Sequence, residues 1–232
     1  QGLQLSKRMK AVADLAGMGD CLADVGTDHG YIPIYLLEER RFQRGIAMDV
    51  HEGPLLRARE NIQSHGLSDR ISCRLGDGLE RLGKGEADTV VIAGMGGSLI
   101  IRILTEGAEV LKEVSRLVLQ PQSEIAKVRD FLQEQGYQIE KEHMVLDEGK
   151  YYQAMRVVHG RMEKFLPEEA KYGPFLLKKN DSCLKEYLNR EEQKFRKILE
   201  SLQDGGNEKT KKRMEELNVE LLLIEKAKER MQ

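Results

Sequence analysis

The 232-residue sequence has only three cysteines, Cys21, Cys73 and Cys183, odd in number, far apart and without a CxxC pair. That excludes a disulfide framework and a zinc ribbon, and it fits a reducing cytoplasm. The histidines, His29, His51, His65, His143 and His159, show no metal-ligand spacing, so no metal site is expected. GxSxG, P-loop and DFG-like motifs are missing. No run suits a bilayer: the most apolar stretch, Thr89 to Leu104, is interrupted by glycines, Ser98 and Arg102. The start, QGLQLSKRMKAVADLAG, has no long apolar segment and does not read as a signal peptide. Neither sign of charge dominates. Lys+Arg 37 against Asp+Glu 39 leaves −2, which argues against a strongly basic nucleic-acid protein and leaves room for a local basic face.

What is present suffices for a core: 40% of residues are hydrophobic. The charged share, 33%, exceeds the roughly 25% of ordinary globular chains, and a long solvated helix is the usual place for the excess. The first part of the chain alternates β-rich runs with amphipathic helical spacing. Leu5–Ala16 reads as helix, Cys21–Val25 as strand, Tyr31–Phe42 as helix and Gly45–Val50 as strand. Glu52–His65 is a helix stopped by Gly66. Ile71–Leu75 and Ala87–Ala93 are strands, and Ser98 to about Leu111 is helical. Arg116–Leu119 is a strand stopped by Pro121, and Ser123–Gln135 is a helix ending at Gly136. This βαβα order implies a parallel sheet with helices on both faces. Two further runs, Gln138–Leu146 and Tyr151–Val158, flank Asp147-Glu148-Gly149-Lys150 and read as a β-hairpin. A parallel sheet closed by such a hairpin is the order expected of class I methyltransferases, a Rossmann-like α/β fold.

From about residue 161 the strands stop. Leu184, Leu188, Phe195, Ile198 and Leu202 fall at helical spacing, and Asp204-Gly205-Gly206-Asn207 is a turn. Met214, Leu217, Leu221, Ile224, Lys228 and Met231 follow the a/d spacing of a coiled coil. The expected appendage is an antiparallel helical hairpin with arms of about 25–30 residues, roughly 40–45 Å long. Two domains are therefore expected, 1–160 and 161–232. The second holds 17 Lys+Arg against 15 Asp+Glu, leaving 20 against 24 in the first. The apolar seam is free to pair within the chain or between chains, so a monomer or weak homodimer is expected.

Four loops at predicted strand ends carry chemistry. Asp24-Val25-Gly26-Thr27-Asp28-His29-Gly30 follows the first strand, where open parallel sheets bind ligands. It breaks the GxGxxG fingerprint, and its carboxylates suit a cationic ligand better than a pyrophosphate. Asp49 ends the second strand, 25 residues after Asp24, where an acidic residue grips ribose hydroxyls; it can equally cap the next helix. Gly76-Asp77-Gly78 follows the third strand, with a carboxylate able to accept from an adenine amino group. Three acidic strand ends in chain order read together as a site for adenosine plus methionine. Ala93-Gly94-Met95-Gly96-Gly97-Ser98 follows the fourth strand and lacks the Asn/Asp-Pro-Pro-aromatic motif of many exocyclic-amine methyltransferases. Gln120-Pro121-Gln122 offers amide contacts or a strand terminator.

The LSKRM start, DVGTDHGYIP, the AGMGG loop, LQPQ, the DEGKYY turn and the YGPFLLKKN opening of the appendage together resemble the bacterial tRNA (adenine(22)-N(1))-methyltransferase family. One departure is Gln122, where Asn is more usual; the amide's donor and acceptor are kept. The resemblance implies S-adenosyl-L-methionine as donor, N1 of a D-loop adenosine of tRNA as acceptor, and a cytoplasmic enzyme without metal or membrane anchor. It places cofactor contacts on Arg8, Asp24, Gly26, Thr27, Asp49, Asp77, Gly78, Gly94 and Met95. It places Asp28, His29 and Tyr31 against the target base. Phosphate contacts are expected on the appendage, chiefly Lys178, Lys179, Lys185, Lys211, Lys212 and Arg213. The rival expectations are a class I methyltransferase acting on another acceptor and a non-catalytic RNA-binding scaffold with a degenerate methyltransferase fold.

Overall fold

A computed structural model describes residues 2–231, which divide into two compact units, the first ending at 164 and the second beginning at 165. The first unit is a seven-stranded sheet, ordered β3-β2-β1-β4-β5-β7-β6. Its strands are β1 (Cys21–Val25), β2 (Arg44–Asp49), β3 (Ile71–Leu75), β4 (Thr89–Gly96), β5 (Arg116–Ser123), β6 (Tyr137–Asp147) and β7 (Lys150–His159). The first five pair in parallel, and β7 enters antiparallel between β5 and β6. All residues of central β1 are buried, as the run CLADV, apolar but for Asp24, fits in a strand covered on both faces. The order reverses between β1 and β4, so their C-terminal ends open the crevice in which such sheets bind ligands.

Helices α1 (Lys7–Ala16), α2 (Tyr31–Glu38), α3 (Glu52–Ser64), α4 (Gly97–Glu106), α5 (Ala108–Leu111) and α6 (Ile125–Glu134) complete the unit. Ser6 Oγ accepts from Met9 N and starts α1, which buries Ala11, Val12, Ala13, Leu15 and Ala16. Its last carbonyls, at the negative end of the helix dipole, meet two guanidiniums. Arg156 Nε donates to Leu15 O at 2.7 Å, and Arg116 Nη1 donates to Ala16 O at 2.5 Å. Under α6 the Arg129 and Glu142 side chains form a fully buried ion pair at 2.7 Å.

Several boundaries differ from the sequence expectation, each for a local reason. Helix α2 stops at Glu38 because Arg40 turns left-handed (φ +58), which sends Phe42 into the core instead of along the helix. Strands β4 and β5 run on through Gly94–Gly96 and past Pro121. Their register shifts at Met95↔Pro121, so a residue with no N–H sits where the ladder is already irregular. The helix after β4 breaks at Gly107 into α4 and α5. The hairpin turn is only Glu148-Gly149, both at positive φ (+49 and +79), as a tight primed turn demands. His159, expected on the surface, has an exposed ring that is nonetheless fixed: Nε2 lies 2.9 Å from Leu111 O, and the ring stacks on Tyr137.

The second unit contains α7 (Pro167–Tyr172), α8 (Pro174–Lys178), α9 (Ser182–Leu202) and α10 (Glu208–Arg230). The long arms have 21 and 23 residues, about 32 and 35 Å, shorter than expected. Prolines at 167 and 174, and Gly173 at φ +97, divert the preceding residues into two short helices. Leu184 and Leu188 of α9 and Leu217, Ile224 and Ala227 of α10 are buried. Ala227 takes the buried place expected of Lys228, whose ammonium reaches Glu192 at 3.1 Å.

Candidate active site

The ends of β1, β2 and β3 are stitched together by backbone groups. Gly26 N and Thr27 N both donate to Met48 O at 2.9 Å. Asp28 stands at φ +55, a conformation that Asp tolerates better than most residues, and its N donates to Asp49 Oδ2 at 3.2 Å. The other Asp49 oxygen accepts from His51 N at 3.0 Å. Asp49 therefore ties two loops together and does not cap α3, which has no side-chain cap.

A cleft of about 380 Å³ opens at these ends, with Gly26, Asp49, Asp77, Gly78 and Met95 in its walls. A Cβ on Gly26 would lie 2.4 Å from Met95 Cε, so only glycine allows Met95 to close that wall. Asp24 lies behind it, 4% exposed, accepting from Thr27 Oγ1 at 2.9 Å. Burial, reinforced by the nearby Asp49 and Asp28 charges, pushes its carboxyl up to about 7, against the opposing effects of Thr27 and Arg8. Asp77 is gripped by Arg102, whose two guanidinium nitrogens lie 3.1 and 3.2 Å from its oxygens.

Arg8 and Gly94 meet at one acceptor. Arg8 Nη1 and Gly94 N each donate to Gln120 Oε1 at 3.0 Å. The Asp28, His29 and Tyr31 side chains form a separate cluster. The His29 and Tyr31 rings stack with centroids 5.0 Å apart and planes 13° apart. Asp28, half exposed, lies 3.4 Å from Arg57 Nη2 and 3.7 Å from His29 Nε2. The six basic residues singled out in the appendage are exposed and belong to one unit, but not to one patch. Lys178 ends α8, Lys179 follows it and Lys185 lies in the first turn of α9, whereas Lys211, Lys212 and Arg213 stand past the far end of α9, in the first turns of α10.

Sequence reasoning missed Arg102 and Arg57, which pair with Asp77 and Asp28, and Val50 and His51, which also line the cleft. The first two are basic residues on amphipathic helices with nothing local to distinguish them, whereas His51 and Val50 directly follow Asp49 and were within reach of the strand-end argument. Among the described residues no group of His, Cys, Asp and Glu could hold a metal ion, and no helix is long and apolar enough to cross a membrane.

The family model for tRNA (adenine(22)-N(1))-methyltransferase matches residues 22–226. The chain belongs to the tRNA (adenine(22)-N(1))-methyltransferase family. A curated Bacillus subtilis tRNA (adenine(22)-N(1))-methyltransferase is 35% identical over 221 residues, 93% of either chain. A Streptococcus pneumoniae structure in complex with S-adenosyl-L-methionine superposes with a TM-score of 0.86 at 35% identity, covering 97% of this chain and 99% of that one. The M. capricolum TrmK structure, in complex with S-adenosyl-homocysteine, gives 0.85 at 26% identity over 99% and 100%. As a member of this family the chain has its acidic cleft where a class I methyltransferase sheet reverses its strand order.

Proposed function

We propose that the protein transfers a methyl group from S-adenosyl-L-methionine to N1 of the adenosine at position 22, in the D-loop of tRNA. The observation that carries this reading is one glycine-walled cleft lined by the strand-end carboxylates Asp49 and Asp77, with the Asp24 carboxyl buried behind its wall at the end of β1. These acidic acceptors fit a ligand with an ammonium, a sulfonium and ribose hydroxyls, and they would repel a pyrophosphate. Asp49 and Asp77 line the cleft as acceptors for the ribose and the adenine amino group. Asp24, Thr27 and Arg8 would face the methionine end, with Gly26, Gly78, Gly94 and Met95 forming the close-fitting walls.

Bound S-adenosylmethionine supplies an electrophilic methyl group whose departure leaves a neutral thioether. The N1 lone pair is already available, so no side chain need act as a strong base. The protein's task is to unpair the base, align N1 and exclude water. The stacked His29–Tyr31 pair offers a platform for an extruded base. Methylation puts positive charge on the ring, and the half-exposed Asp28 carboxylate supplies the compensating charge. On the appendage, Lys178, Lys179, Lys185, Lys211, Lys212 and Arg213 would neutralise tRNA phosphates. The same reading makes the protein a cytoplasmic enzyme, monomeric or weakly dimeric.

The test is methyl transfer from labelled S-adenosylmethionine to unmodified tRNA transcripts, followed by nucleoside mass spectrometry. The expected product is 1-methyladenosine, lost when the adenosine at position 22 is replaced. Cofactor binding without transfer would move the reaction to another acceptor. Absence of cofactor binding would favour the scaffold.

A further inference from the structure

Gln120 is fully buried near the C-terminal end of β5, opposite Ala93 of β4. A buried amide is costly unless its groups are paired, and here they are. Oε1 accepts from Arg8 Nη1 and from Gly94 N, both at 3.0 Å, and Nε2 donates to the Pro121 carbonyl at 3.2 Å. Each donor belongs to a different element. Gly94, at φ +74, is the residue that the β4–β5 register skips between Ala93↔Gln120 and Met95↔Pro121. Arg8 lies in the first turn of α1. Its backbone N is held by Asp147 Oδ2 at 3.0 Å, and its guanidinium carbon lies 5.8 Å from the Tyr152 ring centre. One side-chain oxygen thus fixes both the bulge that presents Met95 to the cleft and the cation at the end of α1.

We propose that Gln120 is a positioning residue for methyl transfer, setting the Arg8 guanidinium and the Gly94 bulge through its single Oε1. This rests on the reading of Arg8, Gly94 and Met95 as residues on the cofactor side of the site. The chemistry specifies which substitutions should matter. Gln120→Met keeps the volume and removes the acceptor. Gln120→Glu keeps the acceptor beside a guanidinium, where a carboxylate makes a stronger hydrogen bond, and gives up the Nε2 donation to the Pro121 carbonyl.

The experiment is steady-state methyl transfer by the full chain at saturating tRNA, with thermal melting in parallel, for Q120M, Q120E, R8M and the R8M/Q120M pair. Q120M is expected to raise the KM for S-adenosylmethionine about tenfold to a hundredfold, the size of one or two lost hydrogen bonds to a charged or backbone group. Q120E should have a lower KM than Q120M, a rescue that loss of packing alone would not produce, while its lost donation to the Pro121 carbonyl keeps it above the wild type. The double variant should be no worse than the more severe single, because both break the same link. If Q120M does not fold, Q120E decides: it should be active beside Arg8 and fail in the R8M background, where its buried carboxylate lacks the guanidinium. Equal activity of Q120E in both backgrounds overturns the proposal, as do a wild-type KM for Q120M and effects of R8M and Q120M that multiply. A wild-type KM for R8M alone refutes the cofactor reading of Arg8 and removes the route through it. An impaired R8M beside an unimpaired Q120M refutes only the role of Gln120.

Discussion

The two units hold their charged groups in opposite ways. In the sheet unit the strand-end carboxylates are buried or multiply bonded: Asp24 beneath Thr27, Asp49 between two backbone amides, Asp77 in the fork of Arg102. In the helical unit most cations are exposed, and their ion pairs are either one-turn neighbours such as Arg213–Glu216 or pairs between helices such as Lys228–Glu192. The first arrangement spends folding energy on geometry, which a reaction centre needs. The second leaves long side chains in solvent, which suits contact with a phosphate backbone, where charge and reach matter more than exact placement.

The sharpest way to break this contrast is through its buried extreme. Arg129→Met leaves the Glu142 carboxylate, fully buried, without its guanidinium, and should cost about 3–5 kcal/mol in urea unfolding of the sheet unit. Asp28→Asn removes the charge offered to the methylated ring. It should lower kcat about a hundredfold with unchanged affinity for S-adenosylmethionine, and full turnover would remove Asp28 from the mechanism. At the opposite pole, Lys228→Ala breaks a pair whose side chains are 35% and 26% exposed, and should cost no more than about 1 kcal/mol in thermal melting.

Asp24 sharpens the contrast through pH. Its carboxyl titrates at about 7 in the fold, against about 4 for an ordinary Asp in the unfolded chain. Between those values the native state binds the extra proton, so this group's contribution favours folding below pH 4 and is lost as pH rises through 7. A cationic ligand beside Asp24 favours the ionised form and must expel that proton. Affinity for S-adenosylmethionine should therefore rise about tenfold from pH 6 to pH 8, and the rise should vanish in Asp24→Asn.

Much of the sheet was readable because its central strands are short, mostly apolar runs and its helices end near glycines such as Gly66 and Gly136. Where glycine or proline did something other than punctuate, the reading slipped. Gly94, Gly96 and Pro121 looked like loop residues, yet a register shift lets both strands continue through them. The acidic strand ends were legible because each carboxylate follows a β run in chain order. Arg102 and Arg57 were not, since a basic residue on an exposed helix face carries no local sign of the carboxylate it will meet. Nor did spacing show that one buried amide, Gln120, would join α1 to β4. That depends on a contact between residues 112 positions apart.

The division of labour between the units is the central claim, and it can be tested in one matched measurement. Affinities for S-adenosylmethionine and for tRNA transcript would be measured as a function of salt for the wild type, for Asp49→Ala and for a variant with Lys211, Lys212 and Arg213 changed to Gln. Asp49→Ala should weaken cofactor binding at least tenfold and leave tRNA affinity unchanged. The triple variant should leave cofactor binding unchanged, weaken tRNA binding, and lower the slope of log affinity against log salt by about 2–3. If both variants weaken both ligands alike, or if the triple variant keeps the wild-type salt slope, the two units do not share the work as described.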